Sequence, residues 1–371
     1  MYLSLKERGC EASCLQVAKN DLTCYYSDMN YLLITFDGFG DGIMYYPIFK
    51  EIGKKMSKSL FLYTSNIFFS DESMKEKIQI PSNFISTKDS FRKFPKSSWK
   101  KTNTFLKNNN VDVIINLRTI SRRFEKDYYD FKEYLISKDS NIIFYDDELL
   151  TDKEKLDTNI RNIILKIIQK GTGKKLPYST STLKSLFQPV MDSNRILINM
   201  HSGGSFKSWE SKKWTKLISS LVLSNKKVGV YEGFSENEKL YTKEVIENLP
   251  APIRNKPLIL RATNLYELAI LLQNSFVLVS VDSGLIHLAD SIGITSIGIY
   301  ITTSPFMWGG ITNKFHYVNS DHMLDCKNFY PFFGMCINNK QKCEEISQGK
   351  DDITVGSVLE KINEIYHEKK N

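Results

Sequence analysis

"FVLVSVDSGLIHLADSIG", residues 276–293, decides the fold. The opening "FVLVSV" has the length and apolar character of a buried strand, and "LIHLADSI" continues at helical spacing. Between them, Asp282 and Ser283 are N-cap residue types, and Gly284 lets the backbone come close to a neighbour or a ligand. Strand, polar turn and helix in this order form half of a βαβ unit. In open sheets built from such units, ligands sit beyond the carboxyl ends of the strands, where the next helix presents unpaired N–H groups. His287, inside the helix, reads first as a core histidine paired to a backbone carbonyl.

The same alternation extends in both directions. One series runs from "RILINM" (195–200) through "WTKLISSLVLSN", "KVGVYE" and "LYELAILLQNS" to "SIGIYI" (296–301). An earlier series begins at "YLLITF" (31–36) and passes through "IMYYPIFKEIGKKM", "SLFLYTS", "VDVIINL" and "NIIFYDD". Two α/β halves follow, and 371 residues exceed what one core usually organises. The Gly-, Ser-, Thr-, Pro- and Lys-rich stretch 169–194 reads as the connection. The expected organisation is an extension over 1–30, an N-terminal domain over 31–185 and a C-terminal domain over 190–348. A final amphipathic helix within 349–371 has Thr354 as its N-cap.

Composition narrows the function. Hydrophobic residues make up 42% and charged residues 25%, as in soluble globular proteins. No apolar run reaches the roughly 18–20 residues of a membrane span. Lys6, Glu7, Arg8 and Glu11 interrupt the N-terminus where a secretory signal would be apolar, so the chain reads as cytoplasmic. A net charge of +8 favours acidic partners. The basic residues follow no nucleic-acid-binding pattern, which leaves phosphorylated ligands or an anionic membrane surface, and no nucleic acid is expected. Cys10, Cys14 and Cys24, and later Cys326, Cys336 and Cys343, read as reduced thiols. The sharper alternative makes the late trio, with His322, a metal site.

Three loops carry candidate chemistry. In "DGFGDG" (37–42), Gly38, Gly40 and Gly42 permit a tight path, and Asp41 stands at a helix start as either an N-cap or a reacting group. Ile43 occupies the position where a dinucleotide fingerprint needs glycine, and "GTGKK" (171–175) lacks the upstream glycine and the Ser or Thr of a P-loop. Hydride transfer is disfavoured. In "HSGGSFKSW" (201–209), Ser202, Gly203, Gly204 and Lys207 make an anion cradle. The third loop is the turn at 282–285.

Together, "FDGFGDGIMYYP", "HSGGSFKSWESKKW" and "VSVDSGLIHLADSIGI" resemble the ADP-heptose:lipopolysaccharide heptosyltransferases, glycosyltransferase family 9, in order and spacing over residues 31 to about 360. The resemblance implies a GT-B fold, two Rossmann-like domains facing a cleft, with the last helix returning to the N-terminal domain. It implies an inverting, metal-independent transfer of a sugar, a heptose foremost, from a nucleotide diphosphate donor such as ADP-heptose, with no cofactor. Asp41 matches the general base and Lys207 the lysine at the donor phosphates. Asp282 matches a sugar contact, while Ser283, Gly284 and Leu285 match the backbone at the diphosphate. Gly40, Ser202, Gly203, Gly204 and His287 join the donor site. Glu236, in competition with Glu232, matches the acid near the ribose.

The chain departs from the family's frequent Gly-Pro-Thr with "YITTSP" (300–305), and "INLRTISRR" (115–123) puts Arg118 and Arg122 toward the acceptor. That acceptor is expected to be a cell-envelope glycan, and the basic and aromatic stretch 90–110 reads either as a contact to a glycolipid or an anionic membrane surface or as a solvated basic loop or helix face. The alternatives are a hexose donor with a protein or small-molecule acceptor, and a non-catalytic nucleotide-sugar-binding module.

Overall fold

The computed structural model describes residues 29–35, 38–56, 59–64, 66–75, 77–78, 83–86, 96–117, 126–138, 142–146, 149–151, 159–177, 183–184, 187, 194–320, 329–330, 335–336 and 349–368. The N-terminal sheet contains β1 (Tyr31–Thr35), β2 (Leu60–Thr64), β3 (Asn83–Ser86), β4 (Val113–Asn116) and β5 (Ile143–Tyr145), all parallel and in the order β3-β2-β1-β4-β5. The C-terminal sheet contains β6 (Arg195–Asn199), β7 (Lys227–Tyr231), β8 (Leu258–Leu260), β9 (Val277–Val281), β10 (Ser296–Tyr300) and β11 (Phe315–Asn319). It too is parallel, in the order β11-β10-β9-β6-β7-β8. Both are doubly wound. The strand order reverses between β1 and β4 in one sheet and between β6 and β9 in the other, and such points open a crevice for ligands.

The helices follow from the apolar periodicity. α1 (Phe39–Met56) buries every residue from Gly42 to Phe49, because it is covered on more than one side. After it come α2 (Ile67–Ser70), α3 (Glu72–Lys75), α4 (Lys96–Asn108) and α5 (Lys126–Lys138). α6 (Ile160–Thr172) is capped by the Asn159 side chain, which accepts from the Arg161 N–H at 3.1 Å, and Gly173 closes it. The interdomain connection therefore begins at Gly173, later than the expected 169, because Ile167, Ile168 and Gly171 belong to a buried helical face. In the C-terminal domain lie α7 (Ser211–Leu223), α8 (Glu236–Glu247), α9 (Leu265–Gln273), α10 (Gly284–Ile292) and the short α11 (Pro305–Trp308). Among the described residues, no helix is long and apolar enough to cross a membrane.

The last helix corrects an expectation. α12 (Val355–Glu368) packs on the C-terminal domain, and among the described residues its buried side chains join only that domain's core. Val358, Ile362 and Ile365 join a core with Trp214, Leu217 and Leu221 of α7. Tyr366 lies 4.3 Å from the Phe276 ring, and the Trp209 indole donates to the Ile353 carbonyl at 3.2 Å. Each buried aliphatic side chain contributes about 1.5–3 kcal/mol, so this apolar stripe is satisfied at home. Thr354 does cap, accepting from the Ser357 N–H at 3.0 Å.

Among the described residues, the following contacts are part of what joins the domains. The starts of α1 and α10 touch at Gly40 and Gly284, where a Cβ on Gly40 would come within 2.9 Å of the Gly284 Cα. From α6, Arg161 donates to Asp290 of α10 at 3.2 Å, and both side chains are buried. The other Asp290 donors, Ile311 N–H, Thr312 N–H and Thr312 Oγ1, lie at 2.6–3.1 Å, so the carboxylate is fully engaged. Finally, Asp71 and Ser73 accept the first two N–H groups of α9, from Leu265 and Tyr266, each at 3.3 Å. Lys77 then sits 4.2 Å over the Tyr266 ring.

Removing one partner of a buried ion pair leaves the other charge uncompensated, at a cost of about 3–5 kcal/mol. Arg161→Ala is expected to lower the unfolding free energy by that order. A urea titration followed by fluorescence checks it through the shift in midpoint.

Candidate functional site

The loops beyond β1, β6 and β9 meet at the junction of the two domains. On the N-terminal side, the Gly38 carbonyl accepts from Asn66 Nδ2 at 2.6 Å, while Gly42 leaves space for the same Asn66 side chain. Asp41 is in the first turn of α1, half-buried, and its Oδ2 accepts the Gly38 N–H at 2.7 Å. That bond is of the helix-capping kind, and it fixes where the carboxylate stands.

Gly40 and Gly284 bring this turn against the C-terminal domain. A Cβ on Gly284 would meet the Gly40 nitrogen at 2.9 Å and the Phe39 ring at 2.5 Å. Only glycine at both positions allows such an approach. The N-terminal turn holding Asp41 and the start of α10 are therefore immediate neighbours.

On the C-terminal side, Asn199 ends β6 and is fully buried. Its Nδ2 reaches Ser280 Oγ at 2.8 Å, Ser283 Oγ at 3.1 Å and the His201 carbonyl at 3.0 Å. One amide thus clips the loop after β6 to the turn after β9. Ser283 is the N-cap of α10, accepting from the Leu285 N–H at 3.3 Å. Lys207, in a short 3-10 turn over Ser205–Lys207, donates to Asp282 Oδ2 at 2.6 Å. Thr303 Oγ1 donates to the same oxygen, also at 2.6 Å. A lysine and a helix N-terminus stand together here, donors suited to an oxyanion, with the Asp282 carboxylate anchoring the lysine.

Ser202 folds back to the Gly204 carbonyl at 2.7 Å, shaping the cradle. Gly203 is exposed, and a Cβ there would meet no atom within 4 Å, so internal packing does not demand its glycine. The adjoining His201 is structural. Its Nε2 pairs with Thr242 Oγ1 at 3.0 Å, and burial lowers its pKa below the ordinary value.

Glu236 is not gathered into the site. It opens α8 with its side chain 82% exposed and paired to Lys239. Glu232, one residue beyond β7 at the sheet's carboxyl edge, accepts Arg261 Nε at 2.6 Å and Nη2 at 3.0 Å. The Arg261 hydrogen bonds hold its carboxyl below the usual range. Of the two competing acids, Glu232 lies at the sheet's carboxyl edge and Glu236 faces solvent.

His287 is in the site but differs from its expected pairing. The side chain is buried, and Nδ1 has no hydrogen-bond partner among the described residues. Burial, helped by the positive charge of Arg161, pushes the imidazole down to about 4. Its Cδ2 would lie 2.7 Å from a Cβ on Gly40, so the ring forms the floor of the interdomain contact.

Other expected residues lie elsewhere. Arg118, Arg122, Cys326 and Cys343 lie outside the described residues. Cys336 is placed only as backbone, in a two-stranded antiparallel ribbon of Phe329–Tyr330 with Met335–Cys336. In α4, Trp99 turns inward, 5.2 Å from the Tyr134 ring, and Phe105 meets Phe61 edge-on at 5.6 Å. Their aromatic surface is spent on packing, and Lys100, Lys101 and Lys107 remain exposed.

Residues 161–329 match the family model described as Glycosyltransferase family 9 (heptosyltransferase). A search of curated proteins with the sequence finds no match. E. coli heptosyltransferase WaaC with ADP is structurally similar, with a TM-score of 0.59 and 15% identity over 91% of this chain and all of its own. The glycosyl transferase family 9 protein from Veillonella parvula gives a TM-score of 0.60 and 13% identity, covering 92% of this chain and 98% of its own. E. coli ADP-heptose lps heptosyltransferase II gives 0.58 and 15%, covering 92% and 100%. These likenesses extend over both domains and establish the fold as GT-B. The loops after β6 and β9 fall inside the family match, whereas the Asp41 turn falls in the part related by fold.

An imidazole of ordinary value 6.5 in the unfolded chain and about 4 in the folded one gains its proton first on unfolding. The stability this preserves is complete above pH 6.5 and is lost as pH falls toward 4, a change on the order of 3 kcal/mol. His287→Gln should flatten the dependence of unfolding free energy on pH within that window. Denaturant titrations at half-unit pH steps measure it.

Proposed function

We propose, from the chain's standing as a family 9, heptosyltransferase-like glycosyltransferase, that it transfers a sugar with inversion from a nucleotide diphosphate donor to a cell-envelope glycan. The observation that carries this reading is the meeting of the Asp41 turn with the Lys207, Asp282 and α10 cluster across the Gly40 and Gly284 contact. A base from one domain then faces a leaving group held by the other. The acceptor hydroxyl loses its proton to Asp41 as it attacks the anomeric carbon from the side opposite the diphosphate.

Charge builds on the departing diphosphate at the same moment. Lys207 and the N–H groups opening α10 are donors already in place for it, and preorganised donors need no rearrangement during the reaction. The sequence contains no D-x-D metal motif, which supports assigning this neutralisation to the protein. The exposed Gly203 leaves room for the phosphates beside Ser202 and Gly204. Glu232 takes the ribose position in preference to Glu236. Asp282, already holding Lys207, reaches the sugar.

ADP-heptose is the first donor to test, because the similar structures include a heptosyltransferase with ADP. The exposed lysines of α4 support an acceptor that is itself anionic or carried on an anionic surface.

Asp41→Asn keeps an acceptor for the Gly38 N–H while removing the base. Transfer is expected to fall by about 10²–10⁴ with donor binding intact, whereas Lys207→Ala weakens both. Initial rates and donor titrations separate the two, and full activity in Asp41→Asn would refute the base assignment. A thermal-shift panel of nucleotide sugars identifies the donor. A true ligand at about 100 times its dissociation constant stabilises by about 2.7 kcal/mol, and a non-ligand leaves the midpoint unmoved.

A further inference from the structure

Lys207, Asp282 and Thr303 follow β6, β9 and β10, three strands that lie side by side in the C-terminal sheet. Two of these residues donate to one atom. Lys207 Nζ and Thr303 Oγ1 each lie 2.6 Å from Asp282 Oδ2. Thr303 and Asp282 are buried, at 6% and 4% exposure, whereas the Lys207 side chain is 23% exposed. The hydroxyl is therefore on the protein side of the carboxylate, and the ammonium is on the side open to a ligand. The Asp282 backbone is fixed as well, its N–H donating to the Ile299 carbonyl at 3.1 Å.

A lysine is a compact charge on a flexible four-carbon stem, and its position is set by what its ammonium binds. Here that anchor is one carboxylate oxygen, whose rotation is in turn set by a buried hydroxyl. We propose that Thr303 is a positioning residue for the transfer. It fixes the Asp282 carboxylate, which holds the Lys207 ammonium where negative charge develops on the leaving diphosphate. The inference rests on the phosphate role of Lys207 proposed above, and it adds a residue that need touch no substrate.

Binding of ADP, UDP and GDP, measured by calorimetry, tests it in wild type, Lys207→Ala, Thr303→Val, Thr303→Ser and the Lys207→Ala/Thr303→Val double variant. Lys207→Ala is expected to weaken the bound diphosphate about tenfold or more, the scale of a charge-assisted hydrogen bond. Thr303→Val removes the hydroxyl at similar volume and should weaken binding roughly three- to fivefold. Thr303→Ser should restore it to within about twofold of wild type. On the Lys207→Ala background, Thr303→Val should add less than about twofold, because its effect passes through the lysine. A packing role would make the two losses additive and leave serine unable to rescue.

Additive losses, or unchanged binding in Thr303→Val beside a weakened Lys207→Ala, overturn the positioning role alone. Unchanged binding in Lys207→Ala, or no diphosphate bound by wild type, overturns the phosphate reading and this inference with it. Should Thr303→Val fail to fold, Thr303→Ala takes its place with the same expected values.

Discussion

Two glycines without side chains at one crossing govern how the halves of this protein meet. Gly40 and Gly284 lie in the first turns of α1 and α10, and a Cβ on either would run into the other's backbone. Their contact joins two helix N-termini, which ordinarily repel through their partial positive charges. Asp41, in the first turn of α1, places a carboxylate at that crossing and makes the juxtaposition tolerable. The residue proposed as the base thus also relieves the electrostatics of its own surroundings.

Charges around the crossing come in anchored pairs. Lys207 is tied to Asp282, Arg161 to Asp290 and Arg261 to Glu232. The pairs differ in what surrounds them. Arg161 and Asp290 are sealed in the interior, where geometry and hydrogen bonds must offset desolvation. Arg261 is 75% exposed, so its bond to Glu232 is softened by solvent. Lys207 lies between these extremes, held firmly enough to be preorganised and open enough to meet a ligand. Exposure of the cation therefore rises from Arg161 through Lys207 to Arg261.

The sequence made the architecture legible because both sheets are parallel and buried, so their strands read as short apolar runs such as "LLIT" and "VLVSV". The loops after β1, β6 and β9 were equally visible, since glycine and N-cap residues punctuate them. Long-range partners were harder to see. Asn199 lies at the end of an apolar strand, and its polarity at that carboxyl edge was the available signal for the clip between two loops. Thr303 gave less, because nothing in "YITTSP" says which oxygen its hydroxyl will meet. Glu236 matches the family's ribose acid by position in the sequence, yet in three dimensions the helix start turns it to solvent and leaves Glu232 at the sheet edge. The destination of α12 was also hidden, since an apolar stripe reveals that it needs a partner and not which domain supplies one.

The shared start of α9 has a consequence for how such proteins can be recombined. Its own Asn264 satisfies the Glu267 N–H, but the two preceding amides are satisfied by Asp71 and Ser73 of the other half. A chimera that exchanged the N-terminal half for one lacking acceptors at these places would expose two orphaned donors at the seam. This stitch makes the two halves inherit together unless the short stretch around Asp71 travels with the C-terminal partner.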